Sequence, residues 1–259
     1  TVKRIANEIE NKNPIGVFGD YDVDGATSAA LLKLFLQYFG IEVHIHIPDR
    51  FLEGYGPNIS ALNSLVSKGS NLIITVDCGI NSYEPLKELN KTNIDCIIID
   101  HHTPDDDLPP AFSIVNPKRK ENGIEYHYLS AVGVTFIMIV GLTRELRQRG
   151  IFEKIKEPNL FRFLDLVALG TVCDVVPLKG LNRCFVKAGL NIISQRKNLG
   201  INALCDISDL NKIPDEETLG YKLGPKINAA GRIGSSDIGV SLLISKDISK
   251  ANELASKLY

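Results

Sequence analysis

Ile15-Gly16-Val17-Phe18-Gly19-Asp20-Tyr21-Asp22-Val23-Asp24-Gly25 joins two unlike patterns. Its first half has no polar side chain, as a strand covered on both faces requires. Its second half alternates acids with other residues and then turns helical. The join recurs twice, where Leu72–Val76 runs into Asp77-Cys78-Gly79 and Ile94–Ile99 runs into Asp100-His101-His102. Further apolar runs stand at Val43–Ile47 and, more weakly, at Phe112–Val115, and helical periods fill Thr27–Phe39, Asn58–Val66 and Tyr83–Leu89 between them. Alternation of this kind predicts βαβ units and a parallel sheet flanked by helices, an α/β fold. Ligands of such sheets sit beyond the carboxyl ends of the strands, so Asp22, Asp24, Asp77 and His101 are expected on one rim.

After Asn116-Pro117 the strand signal fades. Helical patterns follow at Ser130–Arg149, Leu160–Val172, Leu181–Arg196, Ile238–Leu243 and Ile248–Leu258. We therefore read residues 1–117 as the α/β core, 118–246 as a mostly helical extension, and 247–259 as the start of a connecting helix. That last pattern is still running at Tyr259 and the chain opens on Thr, so the sequence is expected to be a piece of a longer protein.

The 259 residues carry 29 basic and 31 acidic side chains, a net charge of −2, which excludes a polycation that holds nucleic acid by bulk charge. Hydrophobic residues make up 44% and charged residues 23%, the balance of an ordinary globular protein. Cys78, Cys96, Cys173, Cys184 and Cys205 are dispersed without a CxxC pair, against both a disulfide framework and a zinc knuckle. The longest apolar stretch, Ala131 to Leu142, falls short of the roughly 18 residues a membrane span needs, and the expected location is the cytoplasm.

Carboxylates crowded on one rim repel one another, and a divalent cation is the ordinary remedy. A mixed Asp and His set favours Mn²⁺, Mg²⁺ or Zn²⁺ over Ca²⁺. An EF-hand reading of Asp20-x-Asp22-x-Asp24-Gly25 fails because Leu31 stands at the position of the bidentate Glu. A phosphate-cradling P-loop fails because Gly19 to Ser28 contains no Lys. Asp174, set between Cys173 and Val175, is a further ligand candidate, since an unpaired charge among apolar neighbours is costly. Any one of these acids could instead cap a helix, and Asp174 could pair with Arg183.

Asp22-x-Asp24-Gly25, Asp77-Cys78-Gly79, Asp100-His101-His102 and Asp174, in this order, resemble the four motifs of the DHH phosphoesterase superfamily. Gly19–Ser28, Gly170–Leu178 and Gly224–Arg232 are similar to its branch of bacterial single-strand-specific 5′→3′ DNA exonucleases. The resemblance implies that Asp22, Asp24, Asp77, His101 and Asp174 hold one or two Mn²⁺ or Mg²⁺ ions, with Asp77 bridging. It also implies that His102 lies by the scissile phosphate, with Asp100 orienting a His ring, and that Lys226, Asn228 and Arg232 contact DNA. Many members carry a His where this chain has Phe18, which cannot ligate. The implied function is metal-dependent hydrolysis of single-stranded DNA in repair and recombination, by a monomer working with a single-strand-binding protein and a helicase. Two alternatives are a phosphodiesterase or pyrophosphatase for small nucleotides, and a non-catalytic replication scaffold. Lys118-Arg119-Lys120 and Arg144, Arg147 and Arg149 are read as solvated surface before DNA groove.

Overall fold

The computed structural model describes residues 1–210, 213–231 and 236–258. Strands β1 (Ile15–Gly19), β2 (Val43–His46), β3 (Leu72–Val76), β4 (Asp95–Ile99) and β5 (Ser113–Val115) form one sheet in the order β2-β1-β3-β4-β5. Every neighbouring pair is parallel. The five apolar runs of the sequence are thus the five strands, their ends moved by at most one residue. Because the chain leaves β1 toward β2 and then returns past it to β3, the crossovers diverge between β1 and β3. A crevice opens at that switch point, beyond the carboxyl ends.

Side chains alternate between two packed layers, as a period of two requires. Val17, Leu72, Ile74, Ile97 and Ile99 face one core. Its helices include α1 (Val2–Asn11), α2 (Val23–Tyr38), α5 (Ala131–Gln148), α6 (Leu164–Cys173) and α7 (Gly180–Ile193). Phe18, Ile73, Cys96 and Ile98 face a smaller core closed by α3 (Ile59–Ser67) and α4 (Tyr83–Leu89). Helix α2 is buried on nearly every side from Val23 to Leu32, since its Ala and Leu residues face the sheet on one side and α6 on the other. It joins the sheet to the helical part, where α8 (Leu199–Ile207), α9 (Glu216–Thr218), α10 (Gly224–Ala230), α11 (Asp237–Leu243) and α12 (Ile248–Ser256) follow.

The helical expectations need three corrections. The segment Leu160–Val172 is a 3₁₀ turn, Leu160–Phe163, that hands over to α6. Gly224–Arg232, for which no helix is expected, contains α10, entered through a π-helical turn at Leu219–Leu223, while Arg232 lies outside the described residues. Helices α1, α8 and α9 have no counterpart in the sequence reading. Among the described residues no helix is long and apolar enough to cross a membrane.

Candidate metal centre

The sheet sets the acids level with one another. Backbone N–H groups one residue past each strand continue the ladder: Asp20 donates to the Val76 carbonyl (3.3 Å), Asp77 to Ile99 (3.0 Å) and Asp100 to Val115 (3.0 Å). Three adjacent strands therefore release their acids along one edge, with a spacing of about 4.8 Å between strands. Asp77 then takes a left-handed conformation (φ 61°), and Gly79 follows at φ 104°. A Cβ at Gly79 would lie 2.7 Å from Thr75 Oγ1, so this tight reversal has room only for Gly. Such strain at a polar centre marks a conformation that the surroundings enforce.

The remaining ligand candidates arrive from the helical part. Asp22 caps α2, accepting from Gly25 N–H at 3.0 Å. Asp24, buried in the first turn of that helix, accepts from the backbone N–H groups of Ala131 (2.6 Å) and Val132 (2.9 Å) at the start of α5. Asp174 closes α6. Among the described residues the three donor groupings are Asp77 with His101 and His102, Asp24 with His101 and Asp174, and Asp20 with Asp22 and Asp77, each with its ligand atoms within 4.8 Å of one another. All five ligand candidates of the sequence converge here, together with Asp100 and His102.

His101 shows what the cluster is suited to hold. Its Nδ1 lies 3.0 Å from the Leu129 carbonyl, which can only accept, so Nδ1 carries the proton. The Nε2 lone pair then points at Asp77 Oδ1 (3.4 Å) and Asp174 Oδ2 (3.6 Å). Nε2, both of these oxygens and Asp20 Oδ1 are buried without a hydrogen-bond partner. Acceptors facing acceptors in a desolvated space demand a shared cation or protons. This donor set fits a divalent ion bound by oxygen and imidazole.

The electrostatics agree. Burial, followed by repulsion from Asp22, pushes the carboxyls of Asp20 and Asp174 up to about 7. Burial and the neighbouring acids raise Asp24 and Asp77 well above the carboxylate range. Burial, then the charge of His102, lowers His101 to about 4, which keeps the ring neutral. Asp100 behaves otherwise. Burial pushes it up, but the His102 ring, at 2.8 Å from its Oδ1, and the N–H groups of His102 and Ile80 outweigh that and hold it below its usual value. Its hydrogen bond in turn raises His102. Asp100 thus orients His102, while a main-chain carbonyl orients His101.

A stability prediction follows for the protein in chelator. Carboxyls with raised folded pKa values bind more protons in the folded state, so their contribution is lost as pH rises through those values. His101, lowered to about 4, opposes this trend only near and below pH 6.5, where the unfolded imidazole still takes up a proton. Tm should fall by several degrees between pH 6.5 and 8, and added Mn²⁺ should remove most of that fall. A flat or rising Tm in chelator would contradict the assignment of the raised pKa values.

Phe18 is fully buried and stacks on His46 with ring centroids 5.3 Å apart, so that position serves the core. Asp20, which sequence reasoning passed over as a ligand, supplies a carboxylate beside Asp22 and Asp77; its place at the strand end was the available signal. Two residues of the turn after β2 were also missed. Arg50 lies over the Tyr21 ring at 5.3 Å, and the Tyr55 hydroxyl reaches His102 Nδ1 at 3.3 Å. Lys226 and Asn228 sit on α10, whose end at Gly231 packs near Tyr21. Lys118 is close enough for its charge to act on Asp174 and His101. Arg119, Lys120, Arg147 and Arg149 are engaged with Glu121, Asp106, Glu157 and Glu145 respectively.

Residues 14–171 match the model of the DHH family, N-terminal domain. The single-stranded-DNA-specific exonuclease RecJ of Haemophilus influenzae is 40% identical over 260 residues, covering 99% of this chain and 45% of that protein. The chain thus spans about half the length of the curated relative it matches. A crystal structure of an exonuclease RecJ bound to manganese superposes with a TM-score of 0.87 at 32% identity, over 99% of this chain and 63% of that one. RecJ from Thermus thermophilus in complex with Mn²⁺ gives 0.83 at 29%, over 99% of this chain and 36% of that one. With its four acid-bearing motifs gathered at one sheet edge and more than half its length matched by the family model, the chain belongs to the DHH family.

Proposed function

We propose that this chain is the catalytic part of a nuclease that hydrolyses single-stranded DNA from the 5′ end, releasing mononucleotides in repair and recombination. The observation that carries the reading is the buried His101 lone pair aimed at unpartnered oxygens of Asp77 and Asp174. We assign Asp22, Asp24, Asp77, His101 and Asp174, with Asp20 added, to one or two Mn²⁺ or Mg²⁺ ions. Bound there, these ions supply Lewis acidity toward the phosphoryl oxygens and a water acidic enough to attack. Asp77 belongs to two of the three donor groupings, which makes it the natural bridging carboxylate. His101, held neutral, offers Nε2 as a donor atom. His102 keeps its proton through Asp100 and serves the phosphate or the leaving 3′-oxygen. The full set of acids argues against a non-catalytic scaffold.

In this reading residues 1–117 form the catalytic core, 118–246 carry the fourth motif and the DNA contacts of Lys226, Asn228 and Arg232, and 247–259 begin a connecting helix. A monomer in the cytoplasm, supplied with single strands by a helicase and a single-strand-binding protein, completes it.

The test is digestion of 5′- and 3′-labelled single strands and duplexes with Mn²⁺ or Mg²⁺, with pyrophosphate and a cyclic dinucleotide as comparison substrates. Mononucleotides released from the 5′ end of single strands are expected. Turnover of only the small substrates would replace the reading. His102→Ala should lower turnover at least about a hundredfold with little change in Mn²⁺ affinity, as loss of a proton donor does; equal losses of both would contradict its role. Lys226→Ala should weaken strand binding and flatten the salt dependence by about one unit or less. An unchanged slope would return Lys226 to a structural role.

A further inference from the structure

The turn between β2 and α3 is built to hold two apolar side chains out of the protein. Asp49 Oδ1 accepts from the N–H groups of Phe51 (2.8 Å) and Leu52 (3.1 Å). Glu53 accepts from Asp49 N–H (2.9 Å), faces His46 Nε2 (2.8 Å) and accepts from the Asn58 amide (2.9 Å). Two carboxylates thus spend their hydrogen bonds fixing the backbone around the tip. Yet Phe51 is 73% exposed and Leu52 86% exposed.

The same turn is tied to the metal centre at both of its ends. Arg50 lies over Tyr21, between Asp20 and Asp22 in sequence. Tyr55 reaches His102 and donates to the Asp77 carbonyl at 3.4 Å. Burial, then the Asp100 charge, keeps the Tyr55 hydroxyl protonated and able to donate. Phe51 and Leu52 lie between these two anchors in sequence, as an exposed apolar lip on the turn that the anchors tie to the site.

We propose that this lip receives the unpaired base of the nucleotide whose phosphodiester lies at the metal centre, Phe51 stacking on the base and Leu52 packing beside it. The inference rests on the nuclease reading above. A phosphate engaged by the acids and His102 leaves its nucleoside outside the cluster, where this turn offers the exposed side chains of Phe51 and Leu52 together with the half-exposed ring of Tyr55. Every base offers a π face, so stacking is tolerant of sequence. A base inside a duplex has both faces covered by its neighbours and its edge paired, so the lip contributes to selection of single strands. Holding the pair rigidly in advance lowers the ordering cost on binding.

The experiment compares two labelled oligonucleotides, one normal and one with abasic residues at the end the enzyme digests, using the parent, Phe51→Ala/Leu52→Ala and Phe51→Trp. The double variant is expected to lose about tenfold to a hundredfold in kcat/KM on the normal strand, mostly through KM, and no more than about threefold on the abasic-ended strand. Phe51→Trp should retain parental KM on the normal strand. Mn²⁺ affinity and Tm, measured alongside, should match the parent in all variants because both side chains lie in solvent. Equal losses on the two strands, or no loss on either, would overturn the lip, as would a Phe51→Trp variant as impaired as the double variant. A parent that digests neither strand would instead remove the nuclease reading, and the inference with it.

Discussion

Asp77→Asn is expected to abolish hydrolysis, by at least about a thousandfold in turnover, while the fold survives. The carboxylate belongs to two donor groupings, so its loss weakens both at once, and the charge stabilisation it supports amounts to several kcal/mol. Nothing in folding depends on the charge, which burial and its neighbours oppose. Asn is the better probe than Ala because position 77 is left-handed, a conformation that Asn tolerates and that costs Ala roughly 1 kcal/mol. Asp77→Ala should therefore be equally inactive but slightly less stable than Asp77→Asn. Steady-state rates at saturating Mn²⁺ with thermal melts of both variants decide it. Activity of Asp77→Asn within tenfold of the parent would defeat the assignment.

Gly25→Ala is expected to cost much stability for one added methyl group. A Cβ there would stand 2.5 Å from the Asp20 carbonyl oxygen and 2.7 Å from the Asp20 backbone nitrogen. These are main-chain atoms, tied into the sheet through Val76, and no side chain can swing aside to make room. Overpacking of this kind costs about 3 kcal/mol, which in a chain of this length lowers Tm by roughly 10 °C. The displaced segment carries Asp20, Asp22 and Asp24, so Mn²⁺ affinity should fall with stability. A variant melting within a degree or two of the parent would show that the loop has slack that the structure does not contain.

The sheet and its acids were legible because both signals are local. Continuous apolar runs report burial on two faces, and an acid directly after such a run is placed by the strand itself, as the continued ladder at Asp20, Asp77 and Asp100 shows. Residues brought in by tertiary contact were not legible. Tyr55 meets His102 across 47 positions, and Arg50 meets Tyr21 through a turn whose course depends on the bonds of Asp49 and Glu53. The partner of His101 is a main-chain carbonyl, which leaves no mark in a sequence. Helix α10 carries no helical expectation, since Gly224-Pro225 opens it and its period is short, yet burial of Ile227 and Ala230 holds it in place. Asp20 follows its strand just as Asp77 does, and is missing from the expected ligand set because that set follows the resembled motif, which begins at Asp22. The stacking of Phe18 on His46 keeps position 18 in the core, while the carboxylate two residues later lies in the cluster.

Calorimetric titration of Mn²⁺ into the protein near pH 7, in two buffers of different ionisation enthalpy, tests the central claim most directly. Carboxyls raised to about 7 hold protons that a bound cation must displace. Binding should therefore be saturable, should release protons measurable as a buffer-dependent heat, and should be lost or weakened at least about tenfold in Asp77→Asn and His101→Ala. Absence of Mn²⁺ binding in the parent, or binding of equal strength and equal proton release in both variants, would contradict the assignment of these residues to a metal centre.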